Sequence, residues 1–252
     1  MPVPFHPVRY AASRPWAKRV AHLFEHGGKT AVADCDALLR RTLQAAPGGV
    51  GLDATRQEAE GLLAQAYGHF VRHGRQLLLC DATLSTALAA THPPKALPAA
   101  PTLPLAACFI ALPDGCGAYV HSDEEGAWRV LMLAAGFAQG NSAWWQQNAE
   151  VLALTLRGGD SLQVPDIPAV QPWRAALLSL FKHLALLAQP RCLLAAASSP
   201  AEQAEALRRG ELPVRRLSWE GDLVQSEAFG KEGYWRRQTS GAVERLVWVP
   251  PR

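Results

Sequence analysis

The sequence predicts an α+β fold, and three observations carry that expectation. The first third of the chain repeats apolar residues at helical spacing and punctuates them with glycine and proline. From residue 105 onward, short runs rich in β-formers alternate with turn clusters such as Pro113-Asp114-Gly115 and Gly158-Gly159-Asp160. Residues 173–188 are apolar on nearly every side, which marks a helix buried against that sheet. At 252 residues, 49% apolar and 19% charged, the chain can bury a full core without disulfides or metals, and one compact unit is expected.

Taken in order, Ser13 is placed to cap a first helix with Pro15 in its opening turn. Trp16, Val20, Leu23 and Phe24 form its apolar stripe, and Gly27-Gly28 ends it. A second helix is expected from Asp34 or Asp36 to Ala46, where Pro47-Gly48-Gly49 stops it. The third has the fullest signature. Thr55-Arg56-Gln57-Glu58 reads as a capping box, Ala59, Leu62, Leu63, Ala66, Tyr67 and Phe70 keep helical spacing, and Gly74 sits where a helix-ending glycine belongs. Residues 76–90 fit a strand or a helix.

Proline and alanine dominate 92–104, which reads as an extended connector between a helical part, 1–91, and an α+β part, 105–252. Strands are expected at 105–112, 117–121, 128–135, 151–157, 192–197, 214–219, 233–238 and 243–249. Short connections favour antiparallel neighbours, and Thr239-Ser240-Gly241 is the turn of the last hairpin. Ser199-Pro200-Ala201-Glu202 is a second capping box, opening a short helix that ends at Gly210.

Several function classes are disfavoured. No window approaches the roughly 18–20 apolar residues of a bilayer span, so no membrane role is expected. The opening Met1-Pro-Val-Pro-Phe-His-Pro lacks the pattern of a secretory leader, and the expected compartment is the cytoplasm. Cys35, Cys80, Cys108, Cys116 and Cys192 are odd in number and scattered, as reduced core thiols are; no pair has metal-ligand spacing. No metal or cofactor is expected. The net charge of +3 is uneven: residues 101–170 hold two basic against seven acidic side chains, and 207–252 hold nine against six. That tail, with Arg9, Arg14, Lys18, Arg19 and Lys29, makes a modest basic face.

The candidates for chemistry each have a plainer reading. His22 with His26, and His69 with His73, stand four apart on predicted helices, as two metal ligands would or as surface histidines do. Arg19 and His26 fit the Arg-x(4–6)-His spacing of helical ribonuclease domains, although Ala21-His22-Leu23 replaces the polar residue usual inside it. His26-Gly27-Gly28-Lys29-Thr30 fails as a phosphate loop because Leu23 stands where a glycine is required. Asp114 with Asp123, Glu124 or Glu125 lacks the Glu-x-Lys strand of a nuclease set, leaving a solvated acidic turn. Cys116 and His121 have the residue types of a nucleophile and its base, or of a turn cysteine and a strand histidine. Ser199 is better placed to cap than to bind an anion, because Glu202 and Glu205 follow it.

The C-terminal hairpin is the most distinctive feature. Strand alternation puts Trp235 and Arg237 on one face of 233–238 and Tyr234, Arg236 and Gln238 on the other, with Arg245 and Trp248 on the return strand. Rings interleaved with arginines can hold bases and phosphates or a protein partner. They can equally be a sheet whose arginines lie on its own tryptophans.

Arg208-Arg209-Gly210-Glu211-Leu212-Pro213, Gly233-Tyr234-Trp235-Arg236-Arg237 and Trp248-Val249-Pro250 follow one another in a recognisable order. In that order the last fifth of the chain resembles an uncharacterised family of phage and mobile-element proteins. The family runs from Lys-Arg-Gly-Lys-Pro-Pro through a strand to Arg-Gly-His-Trp-Arg and a final Trp-x-x-Pro. Glu232 and Tyr234 stand in the arginine and histidine slots here, so any chemistry of that histidine is lost. The resemblance implies a non-enzymatic binding protein of a mobile genetic element, contacting nucleic acid or a protein through Tyr234, Trp235, Arg236, Arg237, Gln238, Arg245 and Trp248. Two alternatives remain: a hydrolase or nuclease-like enzyme assembled from dispersed residues such as His22, His26, Cys116 and His121, and a subunit of a larger complex, given Trp144-Trp145 in an expected loop.

Overall fold

A computed structural model describes residues 14–44, 54–97, 104–112, 116–133, 151–164, 166, 168, 170–189, 191–196, 214–220, 223, 232–240 and 243–251. Ser13, the 113–115 turn, Trp144-Trp145 and the 199–210 helix lie outside them. Helices and a mixed, mostly antiparallel set of strands give the α+β fold. The chain divides into two interleaved compact units: Met1–Gln76, Leu105–His121 and Arg129–Leu154 form the first, and Leu77–Pro104, Ser122–Trp128 and Thr155–Arg252 the second.

In the first unit, α1 (Ala17–His26) packs on α2 (Ala31–Gln44) and α3 (Ala54–Arg72). The expected stripe on α1 is buried at Trp16, Val20 and Phe24. Gly68 of α3 is the reason Phe24 fits, since a Cβ there would lie 2.3 Å from the phenylalanine ring. α2 starts earlier than Asp34. A single 3-10 turn, Gly28–Thr30, leads straight into Ala31, and the apolar Ala31 and Cys35 are drawn into the core ahead of the acidic residues.

α3 already includes Ala54, so Thr55 lies inside the helix and not at the position before it. Its far end follows the sequence. The N–H of Gly74 donates to Val71 O (3.1 Å) and that of Arg75 to Phe70 O (2.9 Å), with Gly74 at φ +86°. These are the two bonds of a Schellman ending.

The strands β2 (Ala107–Ala111), β3 (Gly117–Ser122), β4 (Trp128–Leu133) and β5 (Val151–Leu156) lie in the order β5-β4-β3-β2. β2 and β3 are antiparallel, with Phe109 opposite Tyr119. The acidic run is the solvated turn of the β3–β4 hairpin. Asp123 Oδ1 accepts from the N–H groups of Glu125 (3.0 Å) and Ala127 (2.8 Å), and Gly126 takes φ +79°.

A buried cluster holds the start of this unit. Glu60 of α3 accepts the indole N–H of Trp16 (2.7 Å) and pairs with Arg14 (3.3 Å), and all three are nearly excluded from solvent. Burial raises the Glu60 carboxyl above its ordinary range, an effect that the Arg14 charge and the Trp16 bond offset only in part. Arg14 is therefore part of the core and not of a basic face.

The second unit resolves the stretch 76–90 into both alternatives. β1 (Leu77–Cys80) is followed by α4 (Ala82–Ala89), and Asp81 between them caps the helix by accepting from Leu84 N–H at 2.7 Å. β1 runs parallel to β7 (Val214–Trp219), and β6 (Cys192–Ala196) pairs antiparallel on the far side of β7, giving β1-β7-β6. The apolar helix α5 (Arg174–Leu187) packs on α4. Lys182 and His183 within it are both engaged: Lys182 Nζ donates to Leu88 O (2.9 Å) and Ala89 O (3.3 Å) at the end of α4, and His183 donates through Nδ1 to Ser179 O.

β8 (Tyr234–Ser240) and β9 (Val243–Val249) form a separate two-stranded ladder. Its pairing extends to Ser240↔Val243. Thr239 and Ser240 are thus ladder residues and not part of the turn expected at 239–241, and residues 241 and 242 lie outside the described residues.

Replacing Glu60 with alanine leaves Arg14 charged in a buried place and removes the acceptor of Trp16. The expected cost is about 3–5 kcal/mol, measured by urea unfolding at neutral pH; a loss under about 1 kcal/mol would contradict the assignment of this cluster to the core.

Candidate functional site

The hairpin is held to the second unit by its return strand. Trp248 is 2% exposed. Its ring stands edge-on to Trp219 (centroids 4.7 Å) and stacks on Trp235 (6.1 Å), its partner in the ladder. Its indole N–H donates to Thr91 Oγ1 at 3.2 Å, and that hydroxyl donates in turn to Ala87 O at 2.7 Å.

The backbone of β9 is satisfied from α5's C-terminal end. Gln189 Nε2 donates to Leu246 O (2.9 Å) and to Ala185 O (3.1 Å), while its Oε1 accepts from Trp248 N–H (3.1 Å). One side-chain amide therefore takes two outward-facing ladder groups of β9, as part of a neighbouring strand would.

The start of β8 is fixed just as closely. Gly233 exchanges backbone bonds with Ala90 O (3.0 Å) and His92 N–H (2.9 Å). A Cβ at Gly233 would come within 2.3 Å of Thr91 Oγ1 and 2.8 Å of Pro251, so only glycine lets the strand approach. Beside it, Glu232 pairs with His92, both well exposed.

This framework sets what the hairpin presents. Trp248 is inside, and Trp235 is half-buried against it, its indole N–H shut off from solvent with no acceptor among the described residues. Tyr234, 48% exposed, and Arg236 face outward. In the ladder they stand opposite Val249 and Val247, and Gln238 stands opposite Arg245. The side chains of Arg237, Gln238 and Arg245 lie outside the described residues. The structure thus brings Trp235 and Trp248 together as support and, among the described side chains of β8, leaves Tyr234 and Arg236 on the outer face.

The other candidates fall apart or regroup. The rings of His22 and His26 lie 4.5 Å apart, tilted by 34°, on exposed turns of α1. Cys116 and His121 are five residues apart along extended chain, about 17 Å at ordinary strand rise. His121 instead stacks on His69 of α3 (4.0 Å, 10° between rings), and His69 in turn meets Phe24 edge-on at 5.1 Å. Sequence spacing paired His69 with His73; topology pairs it with a strand residue 52 positions on. Burial, with His73 and Arg72 nearby, lowers the His69 pKa to about 4, so the His69 ring is neutral near pH 7. Among the described residues, no three His, Cys, Asp or Glu side chains gather as a metal site. Burial pushes the Cys35, Cys108 and Cys192 thiols up to about 12, away from nucleophilic use. No described helix is long and apolar enough to cross a membrane.

No protein-family model and no curated protein matches the chain. A solved structure does match over nearly its full length. The chain is similar in fold to AcrVA2. The crystal structure of AcrVA2 aligns over 98% of this chain and 99% of its own, with a TM-score of 0.59 and 14% identity. At that identity AcrVA2 speaks to the fold alone.

Two outcomes follow. Gln189→Leu keeps the apolar bulk but strands the Leu246 carbonyl and the Trp248 N–H, at an expected cost of about 2–4 kcal/mol in urea unfolding; a loss of only a few tenths would show that β9 does not depend on the amide. For His69, the unfolded imidazole takes up its proton near pH 6.5 while the folded one waits until about 4. Stability is therefore full above 6.5 and is lost as pH falls from 6.5 toward 4. His69→Phe keeps a ring between Phe24 and His121 and flattens that loss, which unfolding curves at a series of pH values would reveal.

Proposed function

We propose that this chain is a non-enzymatic binding protein of a mobile genetic element and that its contact surface is the outer face of the β8–β9 hairpin. The observation that carries the reading is the exposure of Tyr234 and Arg236 on a strand whose reverse side is locked. Trp235 and Trp248 pack inward, and Gln189, Thr91 and Ala90 occupy the surrounding backbone and indole groups. A rigid ring beside a guanidinium loses little conformational entropy on binding, and Tyr and Arg are over-represented among the anchors of protein interfaces. A protein partner is the reading we favour.

The mobile-element context rests on two supports. One is the resemblance of the last fifth of the chain to phage and mobile-element proteins. The other, which bears on the fold alone, is the likeness to AcrVA2.

Nucleic acid is the second reading, favoured by the arginines at 236, 237 and 245 within one hairpin. A photo-crosslinking residue at position 234, introduced in cells that carry the gene, separates the two. The expected result is a discrete protein adduct that disappears when Arg236 is changed to alanine. A nucleic-acid adduct, together with a low-salt gel shift abolished by Arg236→Ala with Arg237→Ala, would move the assignment to nucleic acid. No adduct of either kind at 234, with strong adducts at a control position such as 124, would reject the hairpin as the contact surface.

A further inference from the structure

The first unit carries a cleft that the hairpin reading leaves unused. It lies between α1 and α2, has a volume of about 580 Å³, and so falls within the usual span of binding clefts, roughly 300–1,000 Å³. α1 contributes Lys18, Arg19, His22 and Leu23, and α2 contributes Asp34, Ala37, Leu38 and Arg41. The α2 positions follow the i, i+3, i+4, i+7 spacing of a single helix face. That face is distinct from the stripe of Ala31, Cys35 and Leu39 that α2 buries in the core.

We infer that this cleft binds an acidic, amphipathic helical segment of a partner protein. Charge is the first reason. Lys18, Arg19 and Arg41 are exposed at its edges, and among the described residues none of them is in an ion pair. The one carboxylate among the described lining residues, Asp34, already accepts the hydroxyl of Thr30 at 2.8 Å. Three cations around one cleft repel each other until carboxylates arrive.

The floor is the second reason. Leu23, Ala37 and Leu38 are half-buried between the cations, which offers apolar contact that a free anion would not use. The rings are the third. Among the described residues no Trp, Tyr or Phe lines the cleft, so they supply no stacking platform for a single-stranded nucleic acid. An apolar floor with cationic edges between two helices matches the helix-in-groove mode, apolar anchors downward and carboxylates outward.

The site lies in a different unit from the hairpin and stands or falls separately. The test is fluorescence anisotropy on the full chain with a labelled peptide of roughly 15 residues, helical by design, with leucines on one face and glutamates on the other. A scrambled peptide of the same composition, the same helix with lysines for glutamates, and a single-stranded RNA serve as comparison probes. The acidic amphipathic helix should bind more tightly than all three and weaken as salt rises.

Arg19→Glu with Arg41→Glu should weaken binding at least tenfold, on the order expected for charge pairs at an interface. Should charge reversal perturb folding, Arg19→Gln with Arg41→Gln should weaken it in the same direction with an unchanged melting curve. Tyr234→Ala with Arg236→Ala should leave it unaltered. Absence of peptide binding, equal binding of the scrambled peptide, or binding indifferent to both cleft variants would overturn the inference. Tighter binding of the RNA, lost in the cleft variants, would overturn it in favour of nucleic acid.

Discussion

The amide of Gln189 accepts from the N–H of Trp248 and donates to the carbonyl of Leu246, and the outward face of the C-terminal hairpin depends on that exchange. A two-stranded ladder alone is marginal in water. Here its outer edge is completed by a side chain instead of a third strand, so Trp248 can turn its ring into the body of the second unit. Once Trp248 is inside, the alternation of β8 and β9 assigns every neighbouring position. Trp235 must follow it inward, and Tyr234 and Arg236 must face out. Thr91 makes the arrangement specific, because its hydroxyl is a donor to Ala87 and an acceptor for Trp248 at once. Gly233 allows the strand to come close enough for both.

The first unit is organised by a similar device. Glu60 is a carboxylate in a place where an unpaired charge would be intolerable, and Arg14 and Trp16 make it tolerable. The consequence is that the start of α1 is tied to the middle of α3. With Phe24 seated over Gly68, the orientation of α1 on α3 is fixed, and the opposite face of α1 is left to line the cleft with Lys18 and Arg19. Polar groups inside each unit thus decide which polar groups remain outside.

Much of this fold was legible where local signals sufficed. The end of α3 at Gly74 and the acidic turn after Asp123 are each written within a few residues, as is the apolar run of α5. Signals that compete over one turn were read less well. Thr55 and Glu58 have the spacing of a capping box, yet the helix already includes Ala54. The segment 77–89 held a usable clue in Asp81, whose side chain caps α4, but the run Leu77-Leu78-Leu79-Cys80 is too short for periodicity to separate strand from helix. The two strands of the last hairpin were legible in the sequence, but the depth of their side chains was not. Nothing near Trp248 reveals that it is buried, since the residues that bury it, Thr91, Gln189 and Trp219, are distant in sequence. The meeting of His69 with His121, and the cleft between α1 and α2, are likewise products of packing that no spacing rule contains.

The central claim is that the hairpin is a fixed platform and not a loosely attached arm. Native-state hydrogen exchange at the Trp248 amide measures this directly, because that N–H is bonded to Gln189 and not within its own ladder. The account predicts that this amide exchanges with a free energy close to that of unfolding the second unit as a whole. Exchange through a local opening several kcal/mol cheaper than that, with the rest of the unit still protected, would contradict it.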